Sequence, residues 1–128
     1  MGPVERGRAV MSHGTALVIH DVGLADPGKA VVTVPGSFRG THRDLRIVKR
    51  DLPPSDVERR DGFSVTTVIR TLLGIAADAA TQEHVDLAIA EVIDRGLTTA
   101  EDLRWRADDL GDRAALRIER ALALVDAR

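Results

Sequence analysis

The chain has 128 residues, of which 44% are apolar, and this supports one folded domain and argues against an intrinsically disordered chain. It contains no cysteine, which excludes disulfides, thiolate catalysis and cysteine-based metal sites, and no apolar run marks a membrane span or signal peptide, so we expect a soluble cytoplasmic protein. The net charge of −2 divides into about +3 over residues 1–60 and about −5 over residues 61–128, whereas proteins dominated by nucleic-acid binding are usually more basic.

The N-terminal region is predicted to contain one helix. Residues 1–11 carry little pattern, and we expect a flexible N-terminus there. Ser12 is a suitable N-cap, because its hydroxyl can accept a hydrogen bond from the first free amides of a helix. The following helix is predicted over residues 15–22, and Gly23 ends it.

Short strands are predicted next. Residues 30–34 (AVVTV) and 45–49 (LRIVK) have the length and β-branched content of strands. Residues 57–59 and 63–65 predict a hairpin around the Asp-Gly pair at 61–62, which suits a type I′ turn. We therefore expect a small, mostly antiparallel sheet of three or four short strands.

From Thr66 onward the apolar period changes from 2 to 3.6, which predicts helices. The first of them opens at Thr66, and Thr81 caps the second. Thr98 opens the third as the first residue of a capping box with Glu101, and Gly111 separates it from the last helix.

The predicted fold class is therefore α+β, because the helices are segregated after the strands. Residues 12–128 should form a single domain. One N-terminal helix and the sheet occupy residues 12–65, and four C-terminal helices occupy residues 66–128.

The spacing of the histidines and carboxylates is not typical of a catalytic or metal site. His13 and His20 are seven residues apart, whereas two zinc ligands on one helix are normally four apart with a carboxylate nearby. No nucleophile elbow, dinucleotide fingerprint or P-loop occurs. We therefore expect no enzyme activity, no cofactor and no metal. Capping of helices and turns explains the remaining acidic groups better than a divalent ion does: Asp51, Asp56, Asp108, Asp109 and Asp112.

A basic segment over residues 39–50 is the candidate partner-binding region. It contains one acid, Asp44, and no aromatic residue, so it lacks the stacking platform of a single-strand nucleic-acid binder. The cations that would contact an acidic protein face or phosphates are Arg39, Arg43, Arg46, Lys49 and Arg50. The alternative is a solvated sheet edge, where charges prevent pairing between sheets.

Arg70 leans toward the apolar side of its predicted helix. An arginine in such a place normally pairs with a carboxylate, so we predict a structural role, with Asp61 or Asp78 as its partner. Ser12 and Thr98 are predicted to be structural as helix caps.

Four segments together suggest a family. They are residues 12–24 (SHGTALVIHDVGL), 30–40 (AVVTVPGSFRG), 49–73 (KRDLPPSDVERRDGFSVTTVIRTLL) and 91–99 (EVIDRGLTT). In this order they resemble AbiEi-type antitoxins, which belong to bacterial type IV toxin–antitoxin and abortive-infection loci. The resemblance covers about residues 12–124.

The resemblance implies a protein family with two functional regions. Family members typically have an N-terminal winged helix-turn-helix that binds their own promoter, followed by a region that counteracts a toxin with a nucleotidyltransferase fold. This chain resembles the second region. It departs from the family pattern in two ways. Only eleven residues precede the first matching segment, where the family has the winged helix-turn-helix, and Gly74 stands where the family often has an acid four residues after Arg70.

The resemblance implies that this chain is a non-enzymatic antitoxin that binds and neutralises a cognate nucleotidyltransferase-type toxin. The alternative comes from similar segments that precede an endonuclease-like domain resembling very-short-patch repair enzymes. In that case the chain would be a DNA-binding transcriptional regulator, or an accessory module of such a protein that has lost its nuclease domain.

Overall fold

The structure is a computed structural model that describes residues 9–23, 28–78 and 80–128. Over these residues the chain forms five strands and five α-helices. The strands are β1 (Val10–Met11), β2 (Ala30–Val34), β3 (Leu45–Lys49), β4 (Val57–Arg60) and β5 (Phe63–Thr66). The helices are α1 (His13–Ile19), α2 (Val68–Ala77), α3 (Gln82–Asp94), α4 (Ala100–Ala107) and α5 (Asp112–Asp126). A short 3-10 turn, Pro54–Asp56, precedes β4.

The five described strands form one mixed sheet in the order β3-β2-β1-β5-β4. The predicted sheet of three or four mostly antiparallel strands is therefore wrong, although the α+β class agrees with the structure. β1 pairs antiparallel with β2 and parallel with β5, and β2 pairs parallel with β3. The hairpin of β4 and β5 is antiparallel. The connection over residues 35–44 is long enough to return the chain to the start of β2, so β3 runs in the same direction as β2.

β1 lies at the centre of the sheet and precedes the N-terminal helix. Its two residues pair with strands on both sides: Val10 faces Thr33, and Met11 faces both Val32 and Val65. A strand of two residues shows no alternation in the sequence, so nothing distinguished it from the predicted flexible segment 1–11. Residues 1–8 of that segment lie outside the described residues.

Two apolar clusters hold the described elements together. On one face of the sheet, Val32 and Val34 pack with Phe38, Met11 and Ile47. The larger cluster joins all five α-helices, and its central side chains are Leu17, Leu72, Ile89, Leu103 and Ile118.

Threonine caps begin three of the helices. Thr67 accepts a hydrogen bond from the Arg70 amide at 3.3 Å, and Thr81 accepts one from the His84 amide at 3.1 Å. At α4 the cap is Thr99, which accepts from the Asp102 amide at 3.1 Å. The predicted cap Thr98 is therefore off by one residue, because two successive threonines precede the helix and only the second has its side chain against a free amide.

Truncation of the helical core tests this packing. Leu72→Ala should lower the free energy of unfolding by about 2–5 kcal/mol, because Leu72 is 0% exposed and the change leaves a cavity. Leu87→Ala removes the same atoms from a side chain that is 51% exposed, and it should stay within about 0.5 kcal/mol of the parent. Urea unfolding followed by circular dichroism measures both. Equal losses in the two variants would contradict the assigned core.

Candidate functional site

A chain of polar side chains links the sheet to the start of α1 and the end of α2. The Thr33 hydroxyl donates to Ser12 Oγ at 2.8 Å, and Ser12 Oγ lies 2.7 Å from His13 Nδ1. His13 Nε2 lies 2.8 Å from Asp78 Oδ2, which also accepts from Arg50 Nη1 at 3.0 Å. We call these five residues the His13 network. It joins segments that are far apart in sequence through groups that satisfy one another.

His13 has an unusual backbone. Its φ is +54°, a left-handed conformation that costs a non-glycine residue on the order of 1 kcal/mol. The hydrogen bonds to Ser12 and Asp78 hold the ring in place despite this strain. The ring lies against Gly74, where an added Cβ would come within 3.1 Å of His13 Nε2. Gly74 therefore leaves the space that the histidine occupies.

Asp78 is the anionic centre of the network. The hydrogen bond from His13 lowers the pKa of Asp78 to about 2, and the nearby Arg50 cation acts in the same direction, while partial burial opposes both. Because the carboxyl group stays ionised, Nε2 of His13 is the hydrogen-bond donor. Arg50 was predicted to belong to a partner-binding surface, but it is turned toward Asp78 instead.

Serine, histidine and aspartate also occur together in hydrolases, but here they form an interior contact. Ser12 is 2% exposed, and its oxygen accepts a hydrogen bond from the Thr33 hydroxyl. Ser12 occupies the N-cap position of α1 as predicted, yet its side chain makes no capping hydrogen bond and is used in the network.

A second polar contact fixes α4 against the turn before β4. Arg106 Nη2 donates to both carboxylate oxygens of Asp56, each at 2.8 Å, and Asp56 is 1% exposed. The Asp56 carbonyl also accepts from the Thr67 amide at 2.9 Å, at the start of α2. The sequence predicted only turn chemistry for Asp56, because its partner lies fifty residues away and nothing in the local pattern points to it.

Arg70 lies between these two ion pairs. Burial lowers its pKa, as do the cations of Arg50 and Arg106, while Asp56 and Asp78 oppose them. Within the described residues its side chain makes no hydrogen bond or ion pair. The predicted pairing is not observed, since Asp78 is engaged by His13 and Arg50, and Asp61 is exposed at the hairpin turn.

The other predicted cations are grouped at the free edge of the sheet. β3 is an edge strand, and Arg46 and Lys49 are exposed on its opposite faces. Arg39 and Arg43 are exposed in the connection that leads into β3. Over the described residues, none of the four side chains makes a hydrogen bond or an ion pair. We call Arg39, Arg43, Arg46 and Lys49 the β3 edge surface.

The described residues contain no group of three or more histidine, aspartate or glutamate side chains placed to hold a metal ion. None of the helices in the described ranges has the length and apolar character needed to cross a membrane.

Acid titration tests the role of Asp78. Because its pKa is lowered when folded, the ionised carboxylate stabilises the protein above about pH 4, and this contribution is lost as the pH falls through about 2. The side chain is 23% exposed, so after allowance for screening we expect about 1–2 kcal/mol. Asp78→Asn should lower the unfolding free energy by that amount at pH 6, and the difference should shrink between pH 4 and pH 2. A difference independent of pH would contradict this role.

Gly74→Ala tests the contact between His13 and α2. The new methyl group displaces the imidazole and lengthens its hydrogen bond to Asp78, so the pKa of Asp78 should rise from about 2 toward 3.8. Alanine also favours the helix by about 1 kcal/mol, which obscures the effect on stability. A carbon-detected NMR titration of the Asp78 carboxyl group measures the pKa directly. An unchanged titration in the variant would show that the ring is not held against Gly74.

Comparisons with protein-family models, with curated proteins and with solved structures found no match to this chain. The resemblance to AbiEi-type antitoxins rests on the four sequence segments, and the evidence for function comes from the contacts and surfaces described above.

Proposed function

We propose that this chain is a non-enzymatic antitoxin-type protein that binds and neutralises a nucleotidyltransferase-type toxin. The observation that carries the proposal is the β3 edge surface, where exposed cations lie along a strand with one unpaired side. Such an edge can accept a further strand through main-chain hydrogen bonds. The cations add a charge requirement, so the partner should present an acidic segment.

The polar groups in the interior support a binding role. In the His13 network and in the Asp56–Arg106 pair, ionisable side chains from distant segments meet in part-buried contacts. Both are satisfied by their own neighbours, and their carboxylates are engaged by arginine. These groups stabilise the domain, whereas the cations of the β3 edge surface are exposed and make no such contact among the described residues.

Charge at this edge should govern how quickly the complex forms. Complementary charges raise association rates and select partners more reliably than they add affinity. The β3 edge surface is cationic on both faces of the strand, since Arg46 and Lys49 point to opposite sides. An acidic partner strand would therefore be attracted whichever face it approaches.

A second candidate function is phosphate binding by the same cations, as in a DNA-binding regulator or accessory module. The exposed guanidinium groups of Arg39, Arg43 and Arg46 favour it, because arginine binds phosphate oxygens in a bidentate manner. Affinity would then depend steeply on salt.

The proposal predicts that a nucleotidyltransferase-type toxin is encoded next to this gene, and co-expression with that toxin tests it. The parent chain should suppress the toxicity and co-purify with the toxin. Arg46→Glu combined with Lys49→Glu should weaken the complex about tenfold or more, because like charges then face each other. Arg113→Glu with Arg120→Glu makes the same charge change at exposed α5 positions and should leave binding unchanged. Full toxicity in the presence of the folded parent chain, with no complex, would reject the proposal.

A salt titration with duplex DNA distinguishes the second function. Four phosphate contacts predict that affinity falls roughly 10²-fold between 50 and 200 mM salt. The antitoxin proposal instead predicts no measurable shift of a DNA fragment at either salt concentration. Arg39→Gln with Arg43→Gln gives the control, because loss of two contacts would reduce the salt dependence of any DNA complex by about half.

A further inference from the structure

Trp105 is an exposed aromatic residue in a chain that has few aromatics. The sequence contains one tryptophan, two phenylalanines and no tyrosine. Trp105 is 78% exposed on α4, while Leu103 and Ala107 of the same helix are buried in the core. Tryptophan is the side chain most enriched at the energetic centres of protein interfaces, and nothing in the described fold requires it on the surface.

The indole separates two surface clefts. The first, of about 560 Å³, lies between α4 and α5 and includes Leu116 and Ile118. The second, of about 460 Å³, lies between α4 and the start of α2 and includes Ile69 and Leu97. Both are bordered by Trp105, so an apolar side chain entering either cleft contacts the ring. We call these five residues the Trp105 surface.

Acidic side chains surround the ring. Glu101 and Asp102 precede Trp105 by four and three residues, and Asp108 follows it by three, so all three are its neighbours on the helix surface. Asp112 borders the first cleft. The side chains of these four acids are exposed and make no hydrogen bond or ion pair within the described part of the chain.

The nearby cations are already engaged. Arg104 donates to Glu119 at 3.0 Å and to Asp126 at 3.2 Å, and Arg106 is paired with Asp56 at 2.8 Å. The charge of the four free carboxylates is therefore not neutralised locally. The field around Trp105 is negative, which repels phosphates of nucleic acids and anionic lipids.

An aromatic face with adjacent free carboxylates has the chemistry that binds a cationic side chain. Tryptophan gives the strongest cation–π contact, and arginine can stack on it while donating two hydrogen bonds to a carboxylate. The apolar clefts on either side suit an aliphatic neighbour of that arginine. A basic protein segment supplies both the cation for the ring and carboxylates and the aliphatic group for the clefts. Nucleic acids and anionic membranes carry the wrong charge for this surface.

We propose that the Trp105 surface binds a basic segment of a partner protein, with an arginine stacked on Trp105 and paired with Glu101, Asp102 or Asp108. This goes beyond the antitoxin proposal. It uses α4 and α5 in place of the β3 edge, it requires a partner segment of the opposite charge, and it does not depend on the identity of the toxin.

Peptide titration tests the proposal, with a synthetic amphipathic peptide of arginine and leucine as the probe. Since Trp105 is the single tryptophan and tyrosine is absent, the tryptophan fluorescence of the protein reports this surface alone. The arginine peptide should give a saturable change in emission. The same peptide with citrulline for arginine keeps the shape and removes the charge, and it should bind at least tenfold more weakly.

Calorimetry with variants completes the test. Trp105→Ala and the triple variant Glu101→Gln, Asp102→Asn, Asp108→Asn should each weaken binding of the arginine peptide at least tenfold. Leu124→Ala and Glu83→Gln change an exposed apolar and an exposed acidic residue elsewhere, and they should bind like the parent. Circular dichroism confirms that each variant is folded.

Two results would overturn the inference. The first is equal binding of the arginine and citrulline peptides, which would show apolar docking without charge recognition. The second is unchanged binding in folded Trp105→Ala, which would show diffuse attraction between a cationic peptide and an acidic protein. Either result leaves the antitoxin proposal intact, because that proposal is tested through Arg46 and Lys49. Conversely, if the parent chain bound the arginine peptide but no toxin, the antitoxin proposal would be rejected and the inference about the Trp105 surface would stand.

Discussion

The hydrogen bond between His13 and Asp78 is the contact on which the arrangement of sheet and helices depends. It joins the first residue of α1 to the end of α2, and its two outer partners, Thr33 and Arg50, belong to β2 and to the residue after β3. Without it, the left-handed backbone at His13 would lose one of the two hydrogen bonds that hold its ring in place. Gly74 belongs to the same constraint, since a side chain there would occupy the space of the imidazole. The contact thus ties α1 and α2 to β2 and to the end of β3.

Much of the secondary structure could be predicted because its signals are local. β2 and β3 have the predicted bounds, the hairpin forms around Gly62, and Thr81 caps α3 as expected. The sheet was predicted wrongly because strand direction and strand order depend on contacts between distant residues. The sequence of β2 does not reveal whether β3 runs parallel or antiparallel to it, and neither segment shows in its sequence that Met11 pairs with Val65.

The candidate surfaces show the same division between local and distant information. Arg46 and Lys49 are long charged side chains in a short strand, and their exposure could be expected from residue type alone. Arg50 could not be separated from them, because its partner Asp78 lies on another element. The exposure of Trp105 was within reach, since Leu103 and Ala107 are apolar positions four apart on the helix and residue 105 lies on the opposite side from them. The ion pair of Asp56 could not be predicted from sequence, because its partner Arg106 lies fifty residues further along the chain.

The two-residue strand β1 has a consequence for how the chain folds during synthesis. Among the described strands, β1 alone pairs with both the β2–β3 half and the β4–β5 half of the sheet. It leaves the ribosome early, yet Val65 must also emerge before its second side can pair. The two halves can form separately in the meantime, the hairpin first because its contacts are local. Closure of the sheet therefore waits until Val65 has emerged, and until then the nascent chain exposes the open side of β1 to other chains.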